Sequence, residues 1–198
     1  LTTDQIVSLA SEQLAALTKN AIAGLTTDQI VALTTSQAAD LTAARLALFT
    51  TTQIAALETA DLAALTTDAV AGLTTAQAGA LTTDQIISMT TDQIAGLTSA
   101  QLASLSSASL SAMTTDQIIA LTTAQIATMS AARLALLSTT PVAALSTEDF
   151  AAITSAAITG LTTDQIAALT TDQAVALTTS QAAALKSNQI SALTTEVL

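Results

Sequence analysis

The sequence contains no histidine, cysteine, tryptophan or tyrosine, and it has only two phenylalanines, one proline and five glycines. General acid–base catalysis at neutral pH usually depends on histidine, and thiol chemistry or soft-metal binding depends on cysteine. These absences exclude most familiar catalytic sites. We therefore expect that the protein is not an enzyme, that it has no small-molecule substrate and that it binds no cofactor.

Positive charge and long apolar runs are also scarce. Lys19, Arg45, Arg133 and Lys186 are the only cations, they are scattered along the chain, and the formal net charge is −11. Such a chain lacks the basic patch that nucleic-acid binding requires. The composition is 51% hydrophobic, with a mean hydropathy of +0.60, but threonine, serine, glutamine and aspartate interrupt every apolar stretch. We expect no nucleic-acid partner and no transmembrane segment.

An eight-residue repeat runs through the whole chain, with 24 complete octads and a partial one at the end. Residues 81–120, for example, read LTTDQIIS MTTDQIAG LTSAQLAS LSSASLSA MTTDQIIA. Position 1 of the octad is Leu, Met, Phe or Ile in every copy, and position 6 is Ile, Leu, Val, Phe or Ala. A straight α-helix would carry these rows around its surface, and a β-strand would point them to opposite faces. The regular element must therefore be shorter than the repeat.

The letters LTTDQI predict where each element begins. Thr at position 2 and Gln at position 5 are spaced as a capping box, and the apolar residues at positions 1 and 6 then form a hydrophobic staple. Eleven of the fifteen acidic residues occupy position 4, in the predicted first turn, where the helix dipole favours negative charge. Helices this short need neighbours. We predict an all-α solenoid, with one very short capped helix per octad, as a single array over residues 1–198.

A longer period of 88 residues relates LTAARLAL at 41–48 to MSAARLAL at 129–136. Both octads replace Gln by Arg (Arg45 and Arg133) and end in Leu (Leu48 and Leu136). One interpretation is an old duplication, with two 88-residue super-repeats and exposed arginines. The other interpretation is a lateral contact with a neighbouring chain through these four residues.

Repeated acidic and hydroxyl side chains raise three further interpretations. A calcium solenoid would need glycine pairs and several carboxylates at each ion, and the chain has no Gly-Gly. Rows of threonine are also found in ice-binding surfaces, but here position 2 is committed to capping. Exposed serine and threonine are in addition possible sites for sugars. None of the three explains the octad as fully as helix capping does.

The octads LTTDQIVA, FTTTQIAA, LTTAQIAT and LTTDQIAA resemble the LTTxQIxAL arrays of very long bacterial secreted or surface proteins, which are described as repeat-containing or adhesin-like. The resemblance covers the whole chain and implies an extracellular, bacterial cell-surface setting with a structural role. The chain starts at Leu1, in phase with the repeat, so we expect a processed product or part of a longer chain.

The first octad and the final partial one are ordinary repeats, whereas solenoids usually protect their ends with polar caps. Either the caps lie outside this segment, or copies join end to end by continuing the same packing. We therefore predict a structural subunit or segment of an extracellular filament or surface fibre, a head-to-tail homopolymer. Its longitudinal joints are predicted at Leu1, Ile6, Leu193 and Leu198. The alternative is a monomeric rod-like spacer of an adhesin that presents a separate binding domain, and a third interpretation is an intracellular scaffold.

Overall fold

A computed structural model describes residues 1–193 of the chain, and each of the 24 octads in this range forms one α-helix of four to six residues. No β-strand occurs in this range, so the all-α prediction is confirmed. The helices are α1 (Thr3–Ser8), α2 (Ser11–Ala15), α3 (Lys19–Ala23), α4 (Thr27–Val31), α5 (Thr35–Ala39), α6 (Ala43–Leu46), α7 (Thr51–Ala56), α8 (Thr59–Ala64), α9 (Thr67–Ala71), α10 (Thr75–Gly79), α11 (Thr83–Ser88), α12 (Thr91–Gly96), α13 (Ser99–Ser104), α14 (Ser107–Ser111), α15 (Thr115–Ile119), α16 (Thr123–Ala127), α17 (Ala131–Leu134), α18 (Thr139–Ala144), α19 (Thr147–Ala152), α20 (Ser155–Ile158), α21 (Thr163–Ala167), α22 (Thr171–Val175), α23 (Thr179–Ala184) and α24 (Ser187–Ala192).

More than half of the helices begin with the predicted capping box. In α11, Thr82 has extended backbone angles (φ −73°, ψ 163°), its hydroxyl accepts the N–H of Gln85 at 3.2 Å, and the Gln85 Oε1 atom accepts the N–H of Thr82 at 2.9 Å. Two of the orphan N–H groups of the first turn are satisfied in this way. The complete box is found at Thr2, Thr26, Thr34, Thr50, Thr74, Thr82, Thr90, Thr98, Thr114, Thr122, Thr162, Thr170 and Thr178.

Each helix ends without a left-handed residue. At the end of α7, Leu57 leaves the helix at φ −58° and ψ 134°, and its N–H donates to the Ile54 carbonyl at 3.2 Å. No residue in the described part of the chain has a positive φ angle. Glycine is the usual C-terminal cap because it tolerates that conformation. Here the extended residues between one helix and the next end the helix instead, and they do not require glycine.

Within the first part of the chain, and again within the last part, helices three apart in chain order pack against each other as successive turns of a coil. In the first part of the chain α4 packs on α1, α5 on α2, and α8 on α5; in the last part α19 packs on α16 and α24 on α21. One and a half helical turns cannot form a stable isolated helix in water. The short helices are therefore stabilised by this stacking, as in other solenoids.

The two apolar rows form the core, as predicted. From Leu33 to Leu169, every residue at positions 1 and 6 is buried. The side chains at position 6 are the most enclosed; Ile54, Ile86 and Phe150, for example, have no exposed surface. The staple residues therefore form the apolar interior of the array as well as the local contact at the start of one helix.

Contacts group the chain into two compact units, Leu1–Ser109 and the residues from Leu110 onward. The boundary falls inside α14, although the octads keep their phase across it. The single array over residues 1–198 stays a prediction, and so do the two 88-residue super-repeats. Among residues 1–193, no helix has the length and apolar character that crossing a bilayer requires.

Candidate functional site

The glutamine at position 5 has a second role, which joins one turn of the coil to the next. In α11 the Gln85 Oε1 atom completes the capping box, while the Nε2 atom donates to the carbonyls of Ile54 at 2.9 Å and Leu57 at 2.7 Å. These carbonyls lie 31 and 28 residues earlier in the chain. One buried amide therefore starts its own helix and also ties that helix to the turn below.

The same arrangement recurs in both units and is here called the glutamine ladder. In each case the Nε2 atom donates to a position-6 carbonyl and to the following position-1 carbonyl of the preceding turn. The ladder includes Gln37, Gln53, Gln77, Gln85, Gln93 and Gln101 in the first unit and Gln165, Gln173, Gln181 and Gln189 in the second.

The ladder solves a problem that short helices create. The last carbonyls of a helix have no partner within it, and a helix of five or six residues consists largely of such ends. Buried carbonyls without partners are costly. The Gln amide supplies a donor to the position-1 carbonyl and a further donor to the position-6 carbonyl, which also accepts the N–H of the following position-1 residue, and the ladder residues are at most 4% exposed. Its bonds also give the length of one turn, about three and a half octads.

Arginine at position 5 makes a related bond. The Arg45 Nη1 atom donates to the Leu17 carbonyl at 2.6 Å, which is the position-1 carbonyl 28 residues earlier. Arg133 occupies the same place in α17, is half-buried, and burial lowers the pKa of its guanidinium. Arg45 therefore has a role within its own chain, so Arg at position 5 is not by itself a sign of a contact between chains.

Two glycines show that the 88-residue period is reproduced in local structure. A Cβ atom added to Gly72 would collide with Ala43, and one added to Gly160 would collide with the backbone of Ala131. Ala43 and Ala131 open the two four-residue Arg helices, α6 and α17. The close approach explains why both units pair an Ala-Ala-Arg octad with a glycine at position 8 of a later octad.

The predicted assembly residues lie in different environments. Leu1 is 62% exposed and Leu193 is partly exposed, whereas Ile6 is fully buried. Leu198 lies outside the described residues. The two position-8 leucines, Leu48 and Leu136, are half-buried, as are Arg45 and Arg133. No second chain is present, so both the longitudinal and the lateral contacts stay predictions.

Sequence reasoning identified the capping role of Gln and missed the ladder. A capping box accepts Glu as readily as Gln, yet position 5 is Gln in fifteen octads and Glu in none. Acidic residues are common at position 4, immediately before it. This preference for Gln over Glu was the available signal, because only the amide carries N–H donors as well as an acceptor.

Four segments of the chain, residues 6–43, 54–91, 88–123 and 142–179, match the ALTTAQ repeat and together cover more than half of it. The chain belongs to the ALTTAQ repeat family. No curated protein and no solved structure matched the chain. The six letters of the ALTTAQ repeat occur at Ala120–Gln125, where Leu121 is a core residue, Thr122 the N-cap and Gln125 its capping-box partner.

The threonine at position 2 and the glutamine at position 5 of the ALTTAQ octad thus have a structural role at the start of the helix. Within residues 1–193, no group of three or more carboxylates is placed to hold a metal ion. The acidic residues at position 4, such as Asp84 and Asp92, lie exposed in the first turns of their helices.

Proposed function

We propose that the chain is a structural segment of an extracellular bacterial filament or surface fibre, in which ALTTAQ octads supply length and copies join end to end. The observation that carries the proposal is the uniformity of the interface between turns. In both units, each ladder residue donates to the position-6 carbonyl and to the following position-1 carbonyl of the turn below. An interface that repeats along the chain also fits one chain to the next.

The first turn of the coil offers the donors for such a joint. Gln5 and Gln13 use their Oε1 atoms in capping, as the ladder residues do, but their side chains are exposed. We expect their amides to donate to position-6 and position-1 carbonyls at the last turn of another copy. Where further octads precede this segment, the same amides would bond those octads instead.

The extracellular and bacterial setting rests on the resemblance of the octads to secreted and surface arrays. The same setting suits the alternative, a monomeric spacer in an adhesin. That alternative is favoured by the fact that the described ladder bonds lie within one chain. A coil that satisfies its own carbonyls needs no second copy to fold.

Concentration-dependent mass measurement with negative-stain imaging of the purified chain tests the proposal. We expect unbranched polymers that lengthen with concentration, and we expect Gln5→Glu with Gln13→Glu to abolish them, because a carboxylate cannot donate to a carbonyl. The matched control, Asp4→Asn with Glu12→Gln, changes charge at neighbouring exposed positions and should leave the polymers intact. A chain that stays monomeric at every concentration would favour the spacer.

The lateral contact has its own variant. Arg45→Gln with Arg133→Gln keeps a donor for the intrachain carbonyl and removes the cation. If Arg45 and Arg133 join neighbouring chains, this variant forms single polymers in place of bundles; unchanged bundles would assign the arginines to the coil alone.

A further inference from the structure

One octad of the first unit places a carboxyl group where the ladder places an amide. Asp61, at position 5 of the octad 57–64, is 2% exposed. In the neighbouring octads, Gln53 and Gln85 donate to carbonyls 31 and 28 residues earlier. The corresponding carbonyls for Asp61 belong to Ile30 and Leu33. An ionised carboxylate has no hydrogen to offer them.

The hydrogen bonds of Asp61 are incomplete. The hydroxyl of Thr35, on the preceding turn, bonds to the carboxyl group, whereas the Oδ2 atom is buried without a hydrogen-bond partner. Burial raises the pKa of Asp61, the bond from Thr35 opposes this, and the charge of Glu58 raises the pKa further. Burial, the unpartnered Oδ2 atom and the charge of Glu58 make a charge on Asp61 costly, and the single bond from Thr35 offsets this only in part.

The equivalent residue of the second unit has hydrogen-bond partners for both of its carboxyl oxygens. Asp149 lies 88 residues later, and its Oδ1 atom accepts the hydroxyl of Thr123 at 2.7 Å, as Asp61 accepts that of Thr35. Its Oδ2 atom accepts a second hydroxyl, that of Ser146, at 2.7 Å. In the first unit Glu58 stands in place of this serine. Asp149 is thus an internal reference, because both of its carboxyl oxygens accept a hydroxyl hydrogen.

The surroundings of Asp61 offer no counter-charge. Helix α8, which contains Asp61, packs against α5 and α11, and none of the three contains lysine or arginine. The ionisable groups on these three helices and their cap residues are all acidic: Glu58, the N-cap of α8, acts directly on Asp61, Asp84 lies on α11, and Asp40 follows α5. A proton is therefore the simplest means of neutralising Asp61.

We propose that Asp61 is a proton-dependent latch between α8 and the preceding turn of the coil. In the protonated form, the Oδ2–H group donates to the carbonyl of Ile30 or Leu33, as a ladder amide does elsewhere. Loss of the proton to solvent removes that bond and leaves a carboxylate against carbonyl oxygens. The contact of α8 with α5 then loosens at this one octad, independently of whether copies assemble into fibres.

The direction of the pH dependence follows from the raised pKa of Asp61 in the folded state. The latch is fully closed below the ordinary pKa of aspartate and is lost as the pH rises through the raised pKa. Between the two pKa values, the population in which α8 is open rises about tenfold for each pH unit, and above the raised pKa it levels off.

Hydrogen exchange measured by mass spectrometry from about pH 4 to about pH 8, corrected for intrinsic exchange, tests the latch. In the wild type we expect residues 57–64 to lose protection with rising pH relative to residues 145–152, which surround Asp149. Asp61→Gln, which restores a ladder amide, should abolish the loss. Glu58→Ser, which recreates the arrangement at Ser146 and Asp149, should weaken it, because the new hydroxyl holds the charged form.

Two results would overturn the proposal. One is an identical pH profile for the wild type and Asp61→Gln, which would show that Asp61 does not exchange a proton in the folded chain. The other is recovery of protection in the wild type at neutral pH on addition of calcium, magnesium or sodium chloride, but not in Asp61→Gln. In that case a cation, and not a proton, would close the latch. If Asp61→Gln fails to fold, Asp61→Asn and Glu58→Ser supply the same comparison.

Discussion

Replacing Gln85 by methionine measures how much one rung of the ladder stabilises the coil. Methionine is unbranched and adaptable and fills similar space, so the change removes polar atoms and leaves no large cavity. Three hydrogen bonds are lost, from the Thr82 N–H at 2.9 Å and to the carbonyls of Ile54 at 2.9 Å and Leu57 at 2.7 Å. Since each bond contributes about 1 kcal/mol, we expect a loss of about 3 kcal/mol.

The matched control is Gln5→Met. Gln5 makes the same bond to the N–H of its cap residue, Thr2, but its side chain is exposed. Water can replace the lost bond, so the cost should be about 0.5–1 kcal/mol. The difference between the two variants isolates the two inter-turn bonds and the burial around them.

The assay is urea unfolding followed by far-ultraviolet circular dichroism, because the chain has no tryptophan or tyrosine to report by fluorescence. A chain of this size shifts its midpoint temperature by roughly 2–4 °C per kcal/mol, so thermal unfolding should separate the variants by several degrees. Equal losses for Gln85→Met and Gln5→Met, within about 0.5 kcal/mol, would refute the reasoning, since the inter-turn bonds would then contribute nothing measurable.

Two other changes test the packing and the period. Gly160→Ala should destabilise the second unit by about 1–3 kcal/mol in the same urea assay, because the new methyl group collides with the Ala131 backbone. The control, Gly24→Ala, should be nearly neutral, because its methyl group meets only its own helix. Equal losses of stability in the two variants would contradict the close approach of Gly160 to Ala131. Deletion of Leu81–Ser88, a whole octad, should leave the helical circular-dichroism signal per residue and the cooperative unfolding transition unchanged. Deletion of Leu81–Asp84, half an octad, should reduce the signal and broaden the transition. If the chain tolerates the two deletions equally, the structural unit is not eight residues long.

Much of the fold could be predicted from the sequence because it is local. The Thr-x-x-Gln spacing predicts a helix start from contacts three residues apart, and Thr82 with Gln85 forms that box as predicted. The apolar residues at positions 1 and 6 predict the core for the same reason. Pro141 also occupies the first turn of its helix, where its missing N–H costs least.

The turn length could not be predicted because it depends on contacts that no local pattern records. The Nε2 atom of Gln85 bonds partners 28 and 31 residues away, and nothing in its own octad specifies that distance. The 88-residue period was visible in the sequence, but the contacts that it repeats were not. Gly72 approaches Ala43, and Gly160 approaches Ala131, only in the folded chain. Asp61 shows the same limit, since its missing donor is apparent only beside Asp149.

Engineered cysteine pairs test the winding of the coil most directly, because the chain has no cysteine of its own. The Ser88 hydroxyl donates to the Thr59 carbonyl at 3.3 Å, 29 residues earlier. With Ser88→Cys held constant, we expect a disulfide to form readily with Thr59→Cys and not with Thr51→Cys or Thr67→Cys, which lie one octad further away or nearer in sequence. Preferential bonding at Thr51 or Thr67 would show a different number of residues per turn and would contradict the glutamine ladder.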